Sequence, residues 1–141
     1  MAGRFAYAPR FRYPHMIQAE ANVWNRFLEE YPDFFDGCDY DWRVGVGMSV
    51  KPEWEENIKR MATMITQKRI DVIGWNGESP TIVEVKNRAE LSTMGQILGY
   101  FDLFVKDFPN FKDPEMLVLC HMVGADDRFV MEKHGIRIIE V

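Results

Sequence analysis

The pattern of apolar and polar residues along the chain predicts alternating helices and strands. Residues 16–31 have apolar side chains at three- and four-residue steps and end before Pro32, as amphipathic helices do. A segment that opens at Pro52 has the same spacing, and a short helix is predicted over residues 126–134. The longest predicted helix, residues 90–108, is expected to turn six apolar side chains to the core: Leu91, Met94, Leu98, Phe101, Val105 and Phe108.

Five segments rich in β-branched or aromatic residues are predicted to be strands: residues 42–48, 68–75, 80–86, 115–122 and 136–141. The stretch before the first of them, residues 33–41, is predicted to be a loop. The second and third strands flank the turn sequence Asn-Gly-Glu-Ser, which indicates a hairpin. The fourth is nearly continuous in apolar residues, which suits a strand buried on both faces. The order α-β-(α)-β-β-α-β-α-β predicts an α/β domain with a mixed central sheet flanked by helices.

Length and composition fit a single domain with no membrane partner. The chain has 141 residues, of which 47% are apolar and 28% charged, and domains commonly have about 100–200 residues. No apolar run approaches the roughly 20 residues that a membrane-spanning helix needs. Two cysteines are too few for a disulfide scaffold or a four-cysteine metal site, and Cys120 lies in the buried run, which favours a packing role. A reducing, cytoplasmic compartment is the simplest expectation.

The charge is unevenly distributed along the chain. A net charge of −5 argues against nucleic-acid binding through bulk positive charge. Yet Arg4, Arg10 and Arg12 alternate with aromatic residues near the N-terminus, where no acidic residue occurs. Such a segment could grip phosphates and stack bases, or it could be a disordered tail or a subunit-docking arm. We therefore divide the chain into a basic aromatic arm, residues 1–14, and one domain, residues 15–141.

The hairpin geometry gives the sharpest inference about chemistry. With the turn centred just after Gly77, facing residues have numbers that sum to 155, so Asp71 lies directly across from Glu84. Facing residues have Cβ atoms about 4.5–5.5 Å apart. Lys86 shares a face with Glu84, because side chains in a strand alternate with a period of two. Arg69 would lie opposite Lys86. Several charged groups are thus expected on one face of otherwise apolar strands.

Two facing carboxylates need a compensating cation, because like charges directly opposite each other are destabilising. A divalent cation such as Mg²⁺ fits, since it takes one or two carboxylates together with water and phosphate oxygens. The alternative is a surface network of ion pairs on a solvated sheet face. Glu20 poses a related question, because it lies on the apolar stripe of the first helix. A buried carboxylate requires a partner or a metal. The alternatives for Glu20 are the edge of the stripe or a pair with an arginine.

These residues, in this order, resemble the PD-(D/E)xK nuclease superfamily. Asp71 stands on one strand, and Glu84–Lys86 is similar to the ExK element of the next strand. Glu20 matches the acidic residue on the preceding helix. Gln96 and Tyr100 resemble the QxxxY motif of the RecB-like branch. The predicted elements also match the restriction-endonuclease-like α-β-β-β-α-β core of that superfamily.

The resemblance covers about residues 15–122 and includes two departures from the family pattern. Asp71 follows Ile70 rather than proline, which is frequent in this divergent superfamily. The iron–sulfur cysteines of some RecB-like nucleases are absent. Neither departure removes the residues that carry the resemblance.

The resemblance implies a Mg²⁺- or Mn²⁺-dependent deoxyribonuclease. Asp71 and Glu84 would ligate the metal, together with the main-chain carbonyl of Val85. Glu20 would contact the metal directly or through water. Lys86 would position the nucleophilic water.

On the following helix, Gln96 and Tyr100 are one turn apart and would contact the DNA backbone or orient the site. The alternative for them is an ordinary polar helix face. The arginines of the N-terminal arm, Arg4, Arg10 and Arg12, would add phosphate contacts.

The short chain with its basic arm also resembles small phage-encoded members of the superfamily. That likeness leaves open a second function, in which a phage structural or DNA-binding virion protein uses the nuclease fold with little or no catalysis. The expected partner is DNA, with a second copy of the chain or phage virion proteins as further candidates. The expected location is the cytoplasm of a bacterial host or the virion.

Overall fold

The computed structural model describes residues 3–141 as a five-stranded mixed sheet with helices on both faces. The helices are α1 (Gln18–Glu30), α2 (Glu56–Thr66), α3 (Leu91–Asp107) and α4 (Ala125–Lys133). The strands are β1 (Gly37–Val44), β2 (Lys68–Asn76), β3 (Ser79–Ala89), β4 (Glu115–Val123) and β5 (Ile136–Glu140). Strands lie in chain order across the sheet, the pairs β1–β2 and β2–β3 antiparallel and the pairs β3–β4 and β4–β5 parallel. This confirms the predicted α/β class and the predicted order of elements.

Each face of the sheet carries its own apolar cluster. Trp24 and Phe27 of α1 lie in the cluster on one face, and Phe104 of α3 and Met131 of α4 lie in the cluster on the other. Strand β4 contributes to both clusters, with Leu117 and Leu119 on the α1 side and Val118 and Cys120 on the α3 side. This strict alternation is typical of a strand buried on both faces. The prediction that this strand is buried on both faces is confirmed, and Cys120 is a core residue.

The β2–β3 hairpin has the predicted register. Val72 pairs with Val83 and Ile73 with Ile82, so the residue numbers of each pair sum to 155 as expected. Gly77 lies in the turn with φ of +61°, a conformation that glycine adopts without steric cost. The register matters for function because it sets which side chains of the two strands meet.

The predicted bounds of β1 are wrong. The strand begins at Gly37, inside the segment predicted to be a loop, and ends at Val44. Gly45 and Gly47 have φ of +82° and +74°, and they turn the chain away from the sheet. Val46 and Met48, which were expected to extend the strand, are exposed. The alternation that predicted a strand over residues 42–48 therefore continues beyond the real strand by accident of composition.

The predicted core face of α3 is partly wrong. Leu91 and Val105 are substantially exposed, whereas Thr93, Ile97 and Phe104 are the residues that α3 buries. The helix is rotated relative to the face predicted, because a threonine takes a buried position near its N-terminus. Apolar spacing gave the extent of the helix but not its orientation.

The remaining helices form close to the predicted bounds, but α2 packs differently from the others. Its apolar residues Ile58, Met61 and Ile65 are exposed, and α2 buries none of its residues. Among residues 3–141, no helix is both long and apolar enough to cross a membrane.

The N-terminal arm packs against the domain. Phe5 forms a two-bond antiparallel bridge with Cys38, with N···O distances of 2.9 Å in both directions. The ring of Tyr7 meets the edges of Trp24 and Phe35, and Tyr13 is buried in the same cluster. The arm thus supplies apolar contacts to the core, while the division of the chain at residue 15 stays a prediction.

We predict that the arm contributes to stability through Tyr7 and not through Phe11. Tyr7→Ala removes a half-buried ring and the hydrogen bond that its hydroxyl donates to the Tyr31 carbonyl at 2.7 Å. The free energy of unfolding should fall by about 2 kcal/mol. Phe11 is fully exposed, so Phe11→Ala is the matched control and should change it by less than about 0.5 kcal/mol. Urea denaturation measures both, and equal effects would contradict the prediction.

Candidate functional site

Strands β2 and β3 separate at Asp71, and the separation creates a fork in the sheet. Backbone pairing between the two strands, in the part of the chain that the structure describes, runs only as far as Val72 and Val83. At the next position the Asp71 carboxylate replaces the backbone and accepts a hydrogen bond from the Val85 N–H at 2.9 Å. Beyond the fork, β3 stays paired with β4, where Glu84 faces Val118. The side chain of Asp71 therefore stands in the space between two diverging strands.

A reversal of side-chain alternation explains this fork. Tyr40 packs into the α1 cluster and Trp42 into the α3 cluster, although residues two apart in a strand normally share a face. Between them, Asp41 has φ of +54°. In β2 the side chains on either side of Asp71 also point to opposite faces, Ile70 into the α3 cluster and Val72 into the α1 cluster. The β1–β2 register sets Asp71 opposite Asp41. The two strands stay in register while both twist at this point, and Asp71 is turned toward β3.

Asp41 itself is held by Arg69. The guanidinium group donates from Nε and from an Nη atom to the two carboxylate oxygens, each at 2.6 Å. This pair holds the pKa of Asp41 below its usual range. Arg69 was expected to lie opposite Lys86 and enrich the charged cluster, but its cross-strand partner is Arg43 of β1. Because Asp41 takes up its charge, Arg69 does little to offset the carboxylates of the fork.

Asp71 and Glu84 are buried together, with exposed fractions of 5% and 4%. Burial raises the pKa of Glu84, and the hydrogen bond and charge of Asp71 raise it further, while Lys86 lowers it. Glu84 Oε2 is buried and has no hydrogen-bond partner within residues 3–141. A buried acceptor without a partner is costly. Protonation of Glu84 or binding of a cation would offset that cost.

A cleft of about 240 Å³ opens over this pair, between the N-terminus of α1 and the side of α3. Nine residues line it: His15, Ile17, Glu20, Arg69, Asp71, Glu84, Lys86, Gln96 and Tyr100. The structure thus brings together seven of the side chains that the sequence singled out, from α1, β2, β3 and α3.

Glu20 lies in the first turn of α1, where its carboxylate accepts a hydrogen bond from the Ile17 N–H at 3.2 Å. Burial raises the pKa of Glu20, as does the charge of Asp71. This contact caps the N-terminus of α1. The sequence-based interpretations of Glu20, a metal contact or a position at the edge of the apolar stripe, did not predict it. Glu20 can keep the bond through one oxygen and present the other to the cleft.

On α3, Tyr100 is half-buried and Gln96 is exposed. Burial, followed by the charges of Glu84 and Asp71, raises the pKa of Tyr100 to about 12. Tyr100 therefore stays protonated near neutral pH and can donate a hydrogen bond into the cleft. The predicted role of Gln96 and Tyr100 at the site stays a prediction.

The arginines of the arm, Arg4, Arg10 and Arg12, do not line the cleft. The guanidinium group of Arg10 stacks over Phe5, 4.3 Å from the ring centre. Their predicted contacts with DNA stay predictions. Val85 contributes its backbone to the site, while its side chain lies in the α1 cluster.

Sequence reasoning missed His15 as a residue of the cleft. It has φ of +63°, a region that non-glycine residues rarely occupy. His15 belongs to no metal-binding sequence motif, so its spacing does not single it out. Its position between the arm and Glu20 was the available clue, but only the folding of the arm onto α1 brings it to the cleft.

The donor set of the cleft suits a hard divalent cation. Carboxylate oxygens are the ligands that Mg²⁺ prefers, and Glu84 Oε2 is an acceptor with no partner in the described chain. Within residues 3–141, however, no three Asp, Glu, His or Cys side chains are already arranged to hold a metal. Asp71 and Glu84 are the two buried carboxylates of the cleft, so water or a substrate would have to supply most of the coordination sphere.

Comparison with known proteins gives limited information. No protein-family model and no curated protein matches the chain. One similar solved structure is a repair endonuclease from Pyrococcus abyssi, with a TM-score of 0.49, 12% sequence identity and 89% of this chain covered. Another is an EndoMS-dsDNA2 complex, with a TM-score of 0.49, 14% sequence identity and 94% of this chain covered. This chain spans 48% and 49% of those two chains. At that level of similarity, the interpretation of the site depends on its own geometry, and the RecB-like branch and the phage likeness stay predictions.

We predict that Glu84 destabilises the metal-free protein as the pH rises. In the unfolded chain the carboxyl loses its proton near pH 4.5, whereas in the folded protein its pKa is raised. Above pH 4.5 the folded state therefore binds more protons, and the stability linked to this group is lost with rising pH. Glu84→Gln should be on the order of 1–3 kcal/mol more stable at pH 8 and no more stable at pH 4.

Urea denaturation in EDTA at a series of pH values measures this difference. Glu115→Gln is a matched control, because Glu115 is exposed on the neighbouring strand β4. A Glu84→Gln variant that is less stable than the wild type at pH 8 would mean that the carboxylate is stabilised by an ion-pair network.

Proposed function

We propose that the protein is a metal-dependent nuclease that hydrolyses phosphodiester bonds in DNA, with Mg²⁺ or Mn²⁺ as cofactor. The observation that carries this proposal is that Asp71 and Glu84 are both buried and both line the cleft, and that one oxygen of Glu84 has no partner among the described residues. A fold gains no stability from two buried carboxylates in contact. Binding a cation between a protein and a phosphate gives a reason for the arrangement.

Asp71 and Glu84 would hold the metal, together with the main-chain carbonyl of Val85. Glu20 would reach it through water, since one of its oxygens is engaged with the Ile17 N–H. A bound Mg²⁺ or Mn²⁺ lowers the pKa of a coordinated water and offsets negative charge on the phosphate. The protein's part is to fix the buried oxygens of Asp71 and Glu84 at the base of an open cleft.

Lys86 is the cation that remains available in the cleft. Among the described residues it forms no ion pair, and its charge lowers the pKa of both Glu84 and Glu20. Its ammonium group can orient the attacking water or stabilise charge that develops on the phosphate oxygens. Tyr100, which stays protonated, can donate a hydrogen bond to a non-bridging oxygen from the opposite wall.

The surface ion-pair network is less well supported. Such a network would pair the carboxylates with nearby cations on a solvated face, but Asp71 and Glu84 are buried and Arg69 binds Asp41 instead. The alternative of a phage structural or DNA-binding protein with little or no catalysis has no specific observation in its favour. It is retained as an outcome of the experiment.

Two substitutions test the proposed roles separately. Lys86→Ala should lower cleavage of DNA at least about 100-fold, since it removes a charge that acts in the transition state. It should leave metal binding nearly intact, because lysine is not a ligand. Asp71→Asn should remove both DNA cleavage and metal binding, although its amide oxygen can still accept the hydrogen bond from the Val85 N–H. Cleavage of linear and circular DNA with Mg²⁺, Mn²⁺ or EDTA measures activity, and the increase in melting temperature with Mn²⁺ measures binding.

Lys112→Ala is a matched control, because Lys112 is an exposed lysine away from the cleft. It should cleave like the wild type. If wild type cleaves no DNA with any metal and its melting temperature does not change with Mn²⁺, the nuclease proposal is wrong. DNA binding without cleavage would then favour the non-catalytic alternative.

A further inference from the structure

A second concavity adjoins the cleft and lies over one face of α3. It has a volume of about 400 Å³ and adjoins the cleft, because Gln96 and Tyr100 line both. Gly95 and Gly99 form its floor and Lys68 of β2 contributes to its wall. We call this concavity the α3 groove.

The fold itself gives no reason for glycine at the floor of the α3 groove. Gly95 and Gly99 are one turn apart inside α3, and neither has a positive φ. A Cβ atom built at either position meets no atom within 4 Å. Glycine inside a helix is less favourable than alanine. The absence of side chains therefore keeps open a surface that something outside the domain can approach closely.

The charge of the groove favours an anionic occupant. Lys68 is exposed, forms no ion pair in the described part of the chain, and is the one charged residue among those that line the α3 groove. It precedes Asp71 by three residues in β2, about 10 Å along an extended strand. Glu84 Oε2, the buried oxygen without a partner among the described residues, belongs to the adjoining cleft. The occupant is thus expected to reach from a cation in the cleft to Lys68.

We infer that the α3 groove binds the sugar–phosphate backbone of one DNA strand next to the bond that is cut. The inference rests on the proposed nuclease function and extends it to the path of the substrate. The strand lies against Gly95 and Gly99, where side chains would hold it away, and Lys68 contacts a phosphate near the scissile one. Contacts with the backbone position a DNA strand without reading its sequence, so we expect no sequence preference from Lys68 and the glycine floor.

Two variants test this path through DNA binding, measured with fluorescein-labelled DNA and Ca²⁺ in place of Mg²⁺. Gly99→Gln fills the groove with a neutral side chain and should weaken binding at least 10-fold. The same variant should melt on the order of 3 °C higher, because it replaces a helical glycine. Lys68→Ala should reduce the slope of log affinity against log salt by about 0.7–0.9, the value for one lost phosphate contact.

Each variant has a matched control outside the groove. Val105→Gln introduces the same side chain on another face of α3, and Lys112→Ala removes an exposed lysine elsewhere. Both should bind DNA like the wild type. Weaker binding by Gly99→Gln together with a higher melting temperature separates a lost contact from a damaged fold.

The outcomes separate failure of the inference from failure of the proposed function. If wild type cleaves DNA and both groove variants bind like the wild type, the nuclease proposal stands and the groove inference is wrong. If Gly99→Gln changes the oligomeric state and not the affinity for DNA, the groove is a contact between copies of the chain, and the inference is also wrong. If wild type neither binds nor cleaves DNA, both proposals are overturned.

Discussion

The hydrogen bond from the Val85 N–H to Asp71 is the interaction on which the site depends. It takes the place of a backbone pair, so β3 can leave β2 without a buried N–H group losing its partner. It also holds the Asp71 carboxylate against Glu84 in a space from which water is largely excluded. The geometry of the sheet therefore imposes the free-energy cost of burying two carboxyl groups side by side, and a cation or a proton has to offset that cost.

The neighbouring strand explains why the sheet tolerates this arrangement. Asp41 adopts a left-handed conformation opposite Asp71, and its two oxygens bind Arg69 at 2.6 Å. The ion pair compensates for a conformation that aspartate adopts more readily than most residues. It also keeps the Arg69 guanidinium from pairing with the carboxylates of the fork. One aspartate is thus neutralised within the fold, while on the proposed function the other is left to bind a metal.

Local patterns predicted the hairpin and its register, because a tight turn fixes which residues of two strands face each other. They did not predict the reversal at Asp41 and Asp71, since a reversal occurs only when two strands twist together. Nor did they give the start of β1 at Gly37 or the rotation of α3, both of which depend on packing across the sheet. His15 could not be found from spacing because the folded arm brings it to the cleft.

The net charge of −5 limits how such a site can hold DNA. Long-range attraction would be weak or repulsive, so the affinity on the proposed function has to come from contacts within the cleft and the α3 groove. A divalent cation between Asp71 and Glu84 would turn the most acidic part of the cleft from a repulsive surface into a phosphate-binding one. Lys86 and Lys68 would extend that positive region along β3 and β2. Metal binding would then control substrate affinity as well as catalysis, because the same two carboxylates govern both.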